Sequence, residues 1–95
     1  VNSLLIIGGD DLGVIPDKLS SYGFDEILHT NGRKVKMVSK KIPEHINCIL
    51  VLTDFVNHNL STVIKKRAKT KSIPIFYAKR SWSSIQQAFK ARNVG

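Results

Sequence analysis

The segment Ile49-Leu50-Val51-Leu52 is apolar at every position, and so is Leu4-Leu5-Ile6-Ile7 near the start of the chain. A strand with one wet face alternates apolar and polar residues, whereas a strand buried on both faces does not. Two such runs therefore point to a parallel sheet with helices on both sides. Each run ends abruptly. The first stops at Gly8-Gly9-Asp10, and the second at Thr53-Asp54, followed by Asn57-His58-Asn59 and a basic helical tract. In open parallel sheets ligands bind beyond the carboxyl ends of the strands, so both breaks mark candidate site loops.

The remaining elements follow from periodicity and caps. Ile15, Leu19 and Tyr22 stand at i, i+4 and i+7, with Pro16 suited to a first helical turn and Gly23 to a stop. Glu26 to Thr30 reads as a second strand, closed by an Asn31-Gly32 turn. Arg33 to Glu44 carries five basic residues and no sustained period, and fits either a basic loop or a short edge strand over Val35-Lys36-Met37-Val38. Ile46 to Leu52 is the strongest strand. Between Asn57 and Lys69, Leu60, Val63, Ile64 and Ala68 share a helical face. Ile73 to Tyr77 reads as a fourth strand, with Pro74 tolerated at its beginning. Ser81 is placed to cap a last helix striped by Trp82, Ile85 and Phe89.

The order β-α-β-loop-β-α-β-α predicts a small Rossmann-like three-layer α/β domain with a mostly parallel sheet of about four strands and right-handed crossovers. At 95 residues the chain makes one domain, spanning 1–95, rather than two. About 60–65% of its unfolded surface can be buried at this size, which suffices for one modest core.

Fifteen Lys and Arg oppose seven Asp and Glu, a net charge of +8. This favours anionic partners. The acids Asp10, Asp11, Asp17, Asp25 and Glu26 fall in the first third, while Lys65, Lys66, Arg67, Lys69 and Lys71 follow one another in a single tract. No apolar run approaches the ~18 residues of a spanning helix, so no membrane role is expected. Leu4 to Ile7 is too short for a signal-peptide core and has no basic segment before it. Cys48 is the lone cysteine and sits within an apolar strand, which suits packing and a reducing cytoplasm.

Three loops carry candidate chemistry. Gly8-Gly9-Asp10-Asp11-Leu12-Gly13 has the place of a phosphate loop but lacks its spacing: the dinucleotide fingerprint needs glycine where Asp10 stands. A tight turn requiring positive φ is the better reading, although Asp10 could still accept a hydrogen bond from a ribose. Thr53, Asp54, Asn57 and His58 form the second cluster. Asp54 or Asn57 can cap the following helix, while His58 lies about 160° around the wheel from Leu60, away from the packing face. Arg80 and Ser81 form the third, offering a planar fork and a hydroxyl at a helix N-terminus, where anions are favoured. Trp82 serves either stacking or the core.

The residues Leu5-Ile6-Ile7-Gly8-Gly9-Asp10, Val51-Leu52-Thr53-Asp54 with Asn57-His58-Asn59, the basic helix, and Pro74-Ile75 leading to Arg80-Ser81-Trp82-Ser83 together resemble the bacterial family called domain of unknown function 2325. The likeness spans nearly the whole chain and implies a Rossmann-like cytoplasmic domain without an assigned catalytic activity. It also implies haem as a cofactor, with His58, or less naturally His29 or His45, as axial ligand and Arg80 beside a propionate.

The leading expectation is a binding or regulatory module that holds a small, phosphate-bearing anion through Asp10, Thr53, Asp54, Asn57, His58, Arg80 and Ser81. The alternatives are haem binding, and nucleic-acid binding through Lys65, Lys66, Arg67 and Lys69 with the Arg33 to Lys41 segment. Asp54 and His58 stand four apart and could pair as acid and base, yet no nucleophile with a positioned base emerges, so an enzyme is disfavoured. A sheet of this kind leaves edge strands to be covered, which favours a homodimer.

Overall fold

Every residue of both apolar runs is buried, and the two runs lie side by side at the centre of one sheet. The computed structural model of the chain describes residues 2–31 and 45–91. Its elements are β1 (Ser3–Ile7), α1 (Ile15–Tyr22), β2 (Glu26–Thr30), β3 (Cys48–Leu52), a 3₁₀ turn (Thr53–Phe55), α2 (His58–Thr70), β4 (Ile75–Ala78) and α3 (Trp82–Ala91). The strands are ordered β2-β1-β3-β4, and all three pairings are parallel. The expected loop or edge strand over 33–44, and Gly32 of the expected turn, lie outside the described residues.

Two bounds differ from the sequence reading for hydrogen-bonding reasons. β3 starts at Cys48 rather than Ile46, because Asn47 docks first: its N–H donates to the Ser3 carbonyl, and its Oδ1 accepts the Ser3 N–H at 2.7 Å. β4 begins at Ile75 rather than Ile73. The Ile73 N–H closes the end of α2 on the Ala68 carbonyl at 2.8 Å, and Pro74 has no N–H to offer a ladder. β4 also extends to Ala78, opposite Leu52.

Alternation along buried strands creates two cores. Leu4, Ile6, Leu50, Leu52 and Phe76 point to one face and pack with Ile15 and Leu19 of α1 and Ile85 and Phe89 of α3. Leu5, Ile7, Ile49 and Val51 point to the other and pack with Leu60, Ile64 and Ala68 of α2. Full burial of each large aliphatic side chain contributes about 1.5–3 kcal/mol. The aromatic residues gather on the first face, where Phe89 lies 4.8 Å from Phe76, 5.6 Å from Phe24 and 5.9 Å from Tyr22, centroid to centroid.

The helices α1 and α2 lie on opposite faces because their crossovers step in opposite directions, β1 to β2 and β3 to β4, with the same hand. The direction reverses between β1 and β3. That is the switch point, and its carboxyl side is built from the Gly8-Gly9 loop and the Thr53–Phe55 turn.

Candidate functional site

At the switch point the two loops touch through their backbones. Gly8 has φ +119°, and a Cβ there would stand 3.0 Å from the Leu52 carbonyl oxygen and 3.2 Å from that of Phe55. Only glycine allows that approach. Gly9, at φ +78°, donates its N–H to the Phe55 carbonyl at 3.4 Å. The turn expected here is thus real, and its positive φ values bring β1 and β3 together. Phe55 itself remains 52% exposed.

Arg80 ties this edge across three strands. Its Nε donates to the Asp11 carbonyl at 2.8 Å, and Nη2 donates to the same oxygen. Its stem passes the glycine loop, with Cδ 3.8 Å from where a Gly9 Cβ would sit. Its own backbone N–H donates to the Asp54 carboxylate at 3.0 and 3.3 Å. The loops after β1, β3 and β4 are therefore held in one constellation by a single residue. In a dinucleotide fold the space above the glycine loop holds a pyrophosphate. Here an arginine crosses it.

Four of the other expected site residues make structural contacts of their own. Asn57 caps α2, its Oδ1 accepting the Asn59 N–H at 2.8 Å. Asp54 does not cap that helix but serves the β4 loop through Arg80. Ser81 caps α3, its Oγ accepting the Ser84 N–H at 3.3 Å. The Thr53 hydroxyl donates to the Ala78 carbonyl at 3.4 Å, a further tie between β3 and β4. Asp10 is exposed on the glycine loop. Its neighbour Asp11 accepts the Gly13 N–H at 2.9 Å and shapes the turn. His58 begins α2 as an exposed residue, and its ring bonds to no described residue.

Two placements escaped the sequence reading. The His29 Nε2 lies 3.1 Å from the Gly8 carbonyl oxygen and 2.9 Å from that of Gly9, so that nitrogen carries the hydrogen and donates it. His29 thereby clamps the glycine loop from β2. His45 instead faces Glu26, with Nε2 2.5 Å from Oε1. Trp82 packs rather than projecting into the site: it meets Tyr22 edge-on at 5.9 Å, and the Lys18 ammonium lies 5.9 Å from its ring centre. No local spacing signals the His29 or Arg80 contacts, because their partners stand 20 and 69 residues away.

Cys48 faces the aromatic core, and burial pushes its thiol up to about 12, which suits packing rather than nucleophilic chemistry. Among the described residues no cluster of three or more His, Cys, Asp or Glu side chains could hold a metal ion. Among them, too, no helix is long and apolar enough to cross a membrane.

No curated protein and no solved structure matches the chain. A family model does match, over residues 3–91, and it covers the glycine loop, the Thr53 to Asn59 cluster, the basic helix and the Arg80 loop alike. The chain belongs to the family described as "Uncharacterized protein conserved in bacteria (DUF2325)".

Proposed function

We propose that the domain is a non-enzymatic binding or regulatory module that holds a small, phosphate-bearing anion at the carboxyl edge of the sheet. The observation that carries this reading is the position of Arg80. Its guanidinium lies over the glycine loop and commits Nε and Nη2 to one carbonyl, while Nη1 has no partner among the described residues. A planar fork half engaged by backbone and half open suits a phosphate oxygen. The first turn of α3 adds amide donors next to Arg80, since Ser81 satisfies only the Ser84 N–H. His58 supplies a ring without a structural task at the start of α2. Asp54, Asn57 and Thr53 act as the frame that positions these donors, and Asp10 sits at the rim as an acceptor for a ligand hydroxyl.

A regulatory module fits this inventory better than an enzyme. Among the described residues of this edge no nucleophile stands beside a positioned base. The module is expected to work in the cytoplasm as a homodimer that covers an exposed sheet edge.

Calorimetry with inorganic phosphate, nucleotides and sugar phosphates tests the reading. At least one phosphate compound is expected to bind, with affinity falling tenfold or more in Arg80→Ala and Arg80→Lys, since lysine keeps the charge but loses the fork. Absence of binding across the panel, or wild-type affinity in both variants, ends the proposal.

A further inference from the structure

The proposed carboxyl-edge site makes no use of the most charged of the described helices. The helix α2 and its cap residue carry Lys65, Lys66, Arg67, Lys69 and Lys71, and its thirteen residues include no Asp or Glu. The opposite face of the sheet is balanced by comparison. There α1 has Asp17 and Lys18, and α3 has Lys90 alone. Among the described helices the excess positive charge is therefore concentrated on α2.

The packing of α2 determines which of these cations face outward. Leu60, Ile64 and Ala68 are fully buried against the sheet. With about 100° per residue, Lys65, Lys66 and Lys69 fall on the opposite arc, in line with Thr62 and His58. All five of these side chains are exposed, and the three lysines form no ion pair or hydrogen bond with a described residue. The pair Lys65 and Lys69 stands at i, i+4, where like charges destabilise a helix. The helix dipole offsets such repulsion only in the last turn, which leaves Lys65 and Lys66 without that compensation.

We infer that this stripe is a docking surface for the phosphate backbone of double-stranded nucleic acid, read without base specificity. The chemistry of the face selects that partner. A membrane would need the apolar side of α2 to insert, and that side is buried in the sheet. A protein partner would need aromatic or large apolar anchors, and the outward arc has none. Single strands are held by stacking on aromatic side chains, which α2 also lacks. A helix fixed to a sheet along one side presents a row of cations to phosphates but cannot sink fully into a groove. It positions a duplex without reading it.

Anisotropy titrations of the whole chain with fluorescein-labelled 20-base-pair DNA and RNA duplexes test this. Three phosphate contacts give a slope of log affinity against log salt of about −2.7, so affinity should fall about fortyfold between 50 and 200 mM salt. Lys65→Gln/Lys66→Gln/Lys69→Gln should abolish most binding and flatten the slope. Lys18→Gln/Lys90→Gln, on the other face, should leave both unchanged. All five positions are exposed, so circular dichroism should show both variants folded. The inference is overturned by no duplex binding at 50 mM salt, by wild-type binding in the triple variant, or by tighter binding to single strands, anionic vesicles or polyglutamate than to either duplex.

Discussion

The two faces of the sheet are built from the same four strands yet perform different work. One face is aromatic and interlocks Tyr22, Phe24, Phe76 and Phe89 beneath two sparsely charged helices. The other is aliphatic, carries α2 alone among the described helices, and turns a row of exposed lysines outward. Interlocking aromatic rings concentrate stability where large areas are removed from water. A helix that buries only Leu60, Ile64 and Ala68 leaves most of its circumference free for charge. The contrast shows how a fully buried strand, by alternating its side chains, lets one face be selected for stability and the other for its outer surface.

Phe89→Ala should produce the largest effect, a loss of about 3–5 kcal/mol in denaturant unfolding, since it empties the centre of the aromatic cluster. Ile64→Ala, the corresponding deletion under α2, should cost about 2–4 kcal/mol. A larger loss for Ile64→Ala than for Phe89→Ala would break the comparison outright.

Cys48 sharpens it through pH. Its thiol is neutral in the folded core and is pushed up by burial to about 12, above the ordinary value of the unfolded chain. The folded state therefore retains a proton that the unfolded state gives up, and stability falls as pH rises from about 9 towards 12. The native thiol should resist aromatic disulfide reagents at pH 8, and Cys48→Ala should flatten the alkaline loss relative to wild type. Rapid reaction of the native thiol would show the aromatic face to be open.

Arg80→Ala should cost about 1 kcal/mol, the size of a partly exposed charge-assisted contact, while raising amide exchange in the loop from Gly8 to Gly13. Neutralising Lys65, Lys66 and Lys69 should change stability least, by about 0.5 kcal/mol or less, with relief of repulsion making a small gain the expected sign.

The architecture was largely legible in the residues. Unbroken apolar runs identified central parallel strands, and β1, α1 and β2 fall where Ser3, Pro16, Gly23 and the Glu26 to Thr30 run place them. Local chemistry also announced the cap at Ser81 and narrowed the cap of α2 to Asp54 or Asn57, because a cap acts within three residues. The strand starts were less legible. Asn47 and Ile73 each have a tertiary or helix-closing hydrogen bond that displaces the ladder, and apolarity carries no record of that competition. The carboxyl edge was legible as a set of loops and illegible as a network. That Asp54 would serve Arg80 rather than its own helix, and that His29 would clamp Gly8 and Gly9, depends on strand order, which brings distant residues to one edge.

The contact between Arg80 and Asp11 also has a place in time. It joins positions 69 residues apart, which strand pairing brings to one edge. During synthesis the glycine loop emerges before residue 80, and His29 can clamp it once β2 has paired with β1. Its strap is made only when residue 80 has left the ribosome and β4 has found β3. A nascent chain halted before Arg80 is therefore expected to expose an untied loop, a state readable by protease cleavage between Gly8 and Gly13.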